Sequence, residues 1–229
     1  MHKFTIKFVF SQMPLAVVYY FIGSCLGTII GFALFFLYKR FLIFLLEVWF
    51  RRITIGIRLL NGYYTLWFIL NNLVALMLVI VMSVFIFTSV LKSRRAKRFD
   101  FLEHHKPKIT LYSAYMIPIG ALMINGFLVN LFLTYTLFTY GVEKTTAAVI
   151  LMIPHGINEF VALLFASSLG LAYLNILSPI IRRKQFGKAL TLGKSLLFSN
   201  TTFVFIALIA LLVVFSGFVE GILSYFVVP

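Results

Sequence analysis

The chain has 229 residues, of which 62% are hydrophobic, 17% are aromatic and only 11% are charged, and its formal net charge at pH 7 is +14. A soluble domain of this length needs a polar surface, which this composition cannot supply. The composition therefore excludes a soluble globular domain and predicts a chain that is solvated by lipid.

Five long apolar segments follow one another along the chain, and each holds at least the roughly 20 apolar residues that a helix needs to cross the hydrocarbon core. The segments lack the period-two alternation that is typical of membrane β-strands. We therefore predict an all-α fold, a polytopic transmembrane helical bundle that forms one integral membrane domain over residues 1–229. The predicted spans are residues 14–38, 66–91, 109–138, 146–178 and 196–226.

The first apolar segment is too long for the short apolar core of a cleaved signal peptide, and it is expected to stay as a helix. It contains Cys25, the only cysteine of the chain, so an intramolecular disulfide is excluded. We interpret Cys25 as a small buried residue beside Gly23 and Gly27 rather than as a reactive group.

Basic side chains are concentrated in two connections that are separated by two predicted spans. By the positive-inside rule both connections face the cytoplasm, which places the N-terminus inside and the C-terminus outside a cell membrane that the chain crosses several times. These side chains are also expected to bind membrane lipids, including anionic headgroups, whereas no nucleic-acid motif accompanies them. The predicted anchors are Lys92, Arg94, Arg95, Lys97, Arg98, Arg182, Arg183 and Lys184.

Residues 39–61 do not fit this distribution, because they place five cations on the predicted outer side. Apolar residues such as Phe41, Leu45 and Val48 recur there at helical spacing, with most of the charge off that stripe. We predict an amphipathic helix that lies in the interface without crossing. The alternative is a segment that dips into the bilayer and returns, which would put the N-terminus outside.

Polar residues inside the predicted spans form the candidate site. A charged residue at this depth costs on the order of 3 kcal/mol or more, so it is expected to face the bundle interior and to have a partner. The cluster comprises Asn71, Asn72, Asn125, Asn130, Pro154, His155, Gly156, Asn158 and Glu159.

His155 and Glu159 lie one helical turn apart, so their side chains share a face, and we predict that they pair close to Asn125. Pro154 favours a break in the fourth span, which asparagines from other helices would cover with hydrogen bonds. Two interpretations stay open, a purely structural interhelical network and a site that handles protons, ions or a ligand. Glu220 is expected to reach the interface instead.

Three elements of this cluster resemble the stage II sporulation protein M family. Residues 68–75, with the sequence FILNNLVA, are similar to the asparagine-containing start of a helix in that family, and Asn125-Gly126 to its Asn-Gly element. Pro154-His155-Gly156 followed by Glu159 resembles its Pro-His-Gly-x-x-Glu signature, which is the most specific of the three. The resemblance covers about residues 65–180 and departs at Asn130, where the family often has glycine.

This resemblance implies a polytopic membrane protein without established catalytic residues. The leading hypothesis is accordingly a noncatalytic scaffold or subunit of a larger complex, with other membrane proteins or further copies of the chain as partners and with no cofactor. The alternative is a transporter or channel-like permease with a polar site at Asn125, His155 and Glu159. An intramembrane metal-dependent hydrolase is disfavoured, because the spacing is not that of HExxH and zinc needs about three protein ligands.

Overall fold

The computed structural model describes residues 4–59, 64–92 and 100–227, and all regular secondary structure in these ranges is helical. The prediction of an all-α fold is therefore confirmed. The helices are α1 (Ile6–Phe10), α2 (Met13–Leu37), α3 (Lys39–Leu59), α4 (Tyr64–Lys92), α5 (Asp100–Arg182), α6 (Phe186–Leu197) and α7 (Asn200–Val227).

Five stretches of these helices are long and apolar enough to cross a membrane, which identifies the chain as a membrane protein. They are Ile6–Leu37, Thr65–Phe85, Leu111–Pro154, Gly156–Arg182 and Asn200–Glu220. Each overlaps a predicted span, although the first begins earlier in the chain and Leu111–Pro154 also includes the start of the predicted fourth span. The amphipathic α3 is not among them.

Helix α5 combines the third and fourth predicted spans, and its direction changes at Gly141. The backbone angles there are φ 83° and ψ 179°, a conformation that glycine adopts at little cost because it has no Cβ. The predicted break at Pro154 is wrong, since the backbone is helical on both sides of this residue. A proline removes one N–H donor, which a membrane helix accommodates by small local adjustments.

The contacts divide the chain into two compact units. The first unit consists of Met1–Val17, Ala75–Leu122 and Leu163–Ile209, and the second consists of Val18–Val74, Met123–Ala162 and Ala210–Pro229. The N-terminal segment and the second basic connection thus belong to the first unit. The second unit contains α3, Gly141 and most of the candidate site.

In the first unit, two short helices that the sequence analysis did not predict pack onto longer ones. Phe10 of α1 lies 5.9 Å from the ring of Phe165 and 5.5 Å from that of Phe205. Gly193 of α6 is equally close-packed, because a Cβ at this position would lie 2.6 Å from a methyl carbon of Val84. Helix α1, with five residues, is too short to show an apolar period, and α6 lies in the stretch that the sequence analysis interpreted as a basic connection.

In the second unit, α2 packs closely along the first half of α5. A Cβ at Gly23 would collide with the backbone of Met123, and one at Gly27 with the backbone of Phe127. Small residues of this kind allow membrane helices to approach at short distance. Because the contact positions rise together along both helices, α2 and the first half of α5 run parallel.

Helix α3 packs onto this pair of helices. Leu42 and Leu46, one turn apart, are 0% and 4% exposed and form a buried cluster with Leu131 of α5. Phe35 of α2 and Phe127 of α5 pack against the same cluster. The amphipathic helix predicted over residues 39–61 thus has one apolar stripe that is buried against protein rather than against lipid.

Candidate functional site

The carboxylate of Glu159 lies among polar side chains from two other helices. Asn72 of α4 donates a hydrogen bond from Nδ2 to Oε1 of Glu159. Ser216 of α7, whose side chain is fully buried, also hydrogen-bonds to Glu159. Three helices of the second unit therefore meet at one carboxylate.

The orientation of Asn72 follows from its neighbour in the sequence. Asn71 donates from its Nδ2 to the Oδ1 of Asn72 over 3.3 Å. Because the oxygen of the Asn72 amide accepts this bond, its nitrogen is directed to Glu159. The pair of adjacent asparagines in an otherwise apolar helix thus acts as one unit, in which Asn71 positions the donor.

Close packing of α7 brings Ser216 to the carboxylate. The next residue, Gly217, faces α4, and a Cβ at this position would collide with the side chain of Ile69 and lie 3.4 Å from its backbone nitrogen. Only a glycine permits this approach without displacement of Ile69. Gly217 thus lets α7 approach α4 closely enough for the hydroxyl of Ser216 to reach Glu159.

Glu220 lies one helical turn after Ser216 and is partly buried. It interacts electrostatically with Glu159, so two carboxylates belong to the same polar region. The expectation that Glu220 reaches the interface stays a prediction. We refer to Asn71, Asn72, Glu159, Ser216 and Glu220 as the Glu159 cluster.

Other residues of the predicted cluster lie elsewhere. Asn125 is exposed, and within the described part of the chain no hydrogen bond joins it to Glu159. Asn130 donates to the backbone carbonyl of Gly126 over 3.0 Å, and Asn158 donates to that of Pro154 over 3.0 Å. These two amides therefore satisfy local backbone acceptors in their own helix.

The remaining predicted residues are His155, Gly156 and the basic anchors. The side chain of His155 lies outside the described residues, so its pairing with Glu159 stays a prediction, and its neighbour Gly156 is half-buried with open space around it. Among the predicted anchors, Arg182, Arg183 and Lys184 are exposed on the surface. The side chains of the remaining anchors, Lys92, Arg94, Arg95, Lys97 and Arg98, are also outside the described set.

The interpretation of Cys25 as a buried residue is wrong, because this cysteine is exposed. The neighbouring Gly23 and Gly27 are buried, and they face α5. Residue 25 lies two positions from each of them, so the helical period turns its side chain away from that interface. The thiol therefore projects from the outer surface of α2.

A second polar network, in the first unit, was not predicted. Asn175 of α5 donates to the side-chain oxygen of Gln12 over 2.7 Å and accepts from the hydroxyl of Tyr115 over 2.6 Å. Asn175 is exposed although its two neighbours in the sequence are buried. Hydropathy alone does not indicate this difference in exposure, so the sequence analysis did not identify the network. The network links the N-terminal segment with both halves of α5.

The chemistry available at the Glu159 cluster is that of carboxylate, amide and hydroxyl groups. Such groups form hydrogen bonds between helices and offer oxygen atoms to protons or hard cations. In the part of the chain that the structure describes, no group of three or more His, Cys, Asp or Glu side chains is arranged to hold a metal ion.

Comparison of the chain with protein-family models, curated proteins and solved structures finds no match. The resemblance to the stage II sporulation protein M family therefore depends on the three sequence elements alone. In the structure, two of these elements meet, because Asn72 and Glu159 are hydrogen-bonded.

We predict that Asn72 and Glu159 are energetically coupled. Asn72→Leu or Glu159→Leu alone leaves one polar group without its partner, whereas the double replacement also removes the demand for one. The two single losses should therefore sum to more than the loss in the double variant, by about 0.6–1.7 kcal/mol, which runs from the average to the largest coupling known for such bonds in a membrane protein. Unfolding in detergent micelles provides the free energies.

Asn130→Leu serves as the matched control for this cycle, because its amide donates to a carbonyl of its own helix and, unlike Asn158, it is not adjacent to Glu159 in the sequence. Combined with Glu159→Leu it should give additive losses. Additive losses for Asn72 and Glu159 as well would show that the contact does not contribute to stability.

Proposed function

We propose that the chain is a noncatalytic, multi-pass membrane component of the stage II sporulation protein M type, which acts as a scaffold or as a subunit of a larger complex. The observation that carries this proposal is the contact of Asn72 and Ser216 with Glu159. Donors from two helices hold a carboxylate of a third, as expected for a network that fixes the arrangement of a bundle.

A scaffold needs a bundle with one defined geometry. Buried polar contacts favour this, because an alternative packing would leave the carboxylate unpaired in an apolar environment. Interhelical glycines add to the same effect, since Gly27 and Gly217 each fit against a particular neighbour. Large exposed apolar surfaces, such as those around Phe21 and Ile29 of α2, are then available to lipid or to other membrane proteins.

The proposed topology in a cell membrane has the N-terminus inside. The parallel arrangement of α2 and the first half of α5 supports it, because two spans that run in one direction are separated by an odd number of crossings. Helix α4 alone provides one crossing, so α3 does not cross. The basic connections then face the cytoplasm, and Gly141 lies on the outer side.

Labelling with a membrane-impermeant maleimide tests this topology. In a Cys25→Ser background, Glu143→Cys should react in intact cells, whereas Lys106→Cys and Lys184→Cys should react only after permeabilisation. Cys25→Ser without a new cysteine is the blank. Reaction of Lys106→Cys and Lys184→Cys from opposite sides would contradict the proposed topology.

A second candidate function is that of a permease for protons or small cations. The observation that favours it is Glu220, a second carboxylate that interacts electrostatically with Glu159. One carboxylate with two donors suffices for a structural network, so a second acidic group suggests a use for negative charge at this depth. Intramembrane ionisable residues commonly mark ion pathways.

Flux measurements with purified protein in liposomes separate the two functions. A scaffold should give proton, Na⁺ and K⁺ fluxes equal to those of protein-free vesicles, and Glu159→Gln should retain cross-linking to the same neighbouring proteins in native membranes, because the amide still accepts from Asn72. A flux that Glu159→Gln abolishes and Asn158→Gln preserves would overturn the scaffold proposal and establish the permease.

A further inference from the structure

The orientation of α3 about its own axis is fixed by packing. Leu42 and Leu46 are buried against Leu131, so one side of α3 faces the protein. At 3.6 residues per turn, Arg40 and Arg51 lie on the opposite side, about 20° apart around the axis and separated by about three turns along it. Both arginines are exposed.

An apolar strip runs next to these arginines on the outer side of α3. Phe41, Phe44 and Val48 are 51%, 55% and 52% exposed, and the rings of Phe41 and Phe44 stack with centroids 6.4 Å apart. The side of α3 that faces away from the protein therefore has two edges along its length. The charged edge contains Arg40 and Arg51, and the apolar edge contains Phe41, Phe44 and Val48. A helix with this division lies in a bilayer surface, with the apolar edge towards the acyl chains.

Aromatic residues mark the depth of α3. Tyr38, which directly precedes α3, is 68% exposed, and Tyr140, at the end of the first half of α5, is 60% exposed. Exposed tyrosines of this kind are enriched where hydrocarbon meets headgroups. The Nζ of Lys39 lies 4.9 Å from the ring centroid of Phe35, within the range of a cation–π contact. This contact holds the start of α3 at the level of these tyrosines.

The charge of the segment determines which headgroup it suits. Residues 38–63 contain five cations, at positions 39, 40, 51, 52 and 58, and one anion, Glu47, so the net charge is 5 − 1 = +4. Glu47 lies four residues before Arg51 on the same side, which leaves Arg40 as the less compensated of the two exposed arginines. Anionic phospholipid headgroups complement this positive charge, because no choline compensates the charge of their phosphate.

We propose that the outer side of α3 is a binding surface for anionic phospholipid, in which Arg40 and Arg51 bind headgroup phosphates and Phe41, Phe44 and Val48 contact the acyl chains. This surface is separate from the Glu159 cluster, so it would serve a scaffold and a permease alike. Arginine suits the role because its planar guanidinium donates two parallel hydrogen bonds to a phosphate.

Titration of the detergent-solubilised protein with short-chain phosphatidylglycerol or phosphatidylcholine tests the proposal. A ligand that binds the folded state stabilises it by RT ln(1 + [L]/Kd), so the rise of the melting temperature with lipid concentration gives an apparent Kd. We expect phosphatidylglycerol to bind more tightly than phosphatidylcholine. Replacement of both arginines in Arg40→Gln/Arg51→Gln should weaken phosphatidylglycerol binding by roughly 30-fold, the equivalent of about 1 kcal/mol for each cation.

The matched control is Lys7→Gln/Lys144→Gln, which removes two exposed cations that lie outside α3 and outside the predicted anchors, and should leave the affinity within about twofold. Inorganic phosphate should not raise the melting temperature, because it offers no acyl chain to the apolar edge. Both double variants should melt like the wild type without lipid. Equal binding of the two lipids, an unchanged affinity in Arg40→Gln/Arg51→Gln, or an equal loss in the control would overturn the proposal.

Discussion

The carboxylate of Glu159 is the constraint on which the arrangement of the second unit depends. An ionisable group within an apolar helix is costly unless other groups bind it, and here the donors come from α4 and α7. Gly217 provides the space that the α7 donor needs. The hydrogen bonds of the Glu159 cluster therefore depend on the close packing of α7, and Gly217 is as necessary for the cluster as the hydrogen-bonding groups are.

The same unit also shows how an amphipathic helix is used beside membrane spans. Leu42 and Leu46 attach α3 to the bundle, while Arg40, Arg51 and the rings of Phe41 and Phe44 face outward. The parallel packing of α2 against α5, through Gly23 and Gly27, matches a helix that returns along the surface instead of crossing. The face that packs against protein and the face proposed to bind lipid are thus different faces of one helix.

The sequence predicts the fold class and five candidate spans, because length and apolarity are local properties. It also indicates Asn72 and Glu159, since polar groups in apolar helices require partners. It does not reveal which partners meet, because that depends on contacts between residues far apart in the chain. Ser216 was missed for this reason, while Asn130 and Asn158 turned out to bond within their own helix. Gly141, rather than Pro154, redirects α5, because a positive φ is a stronger departure from a helix than one lost donor.

Helices α4 and α5 meet at Asn72 and Glu159. Cross-linking of Asn72→Cys with Glu159→Cys by a short bifunctional methanethiosulfonate, in native membranes and a Cys25→Ser background, tests this contact most directly. We expect an intramolecular cross-link for this pair and none for Leu70→Cys with Glu159→Cys, because Leu70 is exposed on another side of α4. Efficient cross-linking of the Leu70 pair, or none for the Asn72 pair, would show that the two helices do not meet at these residues.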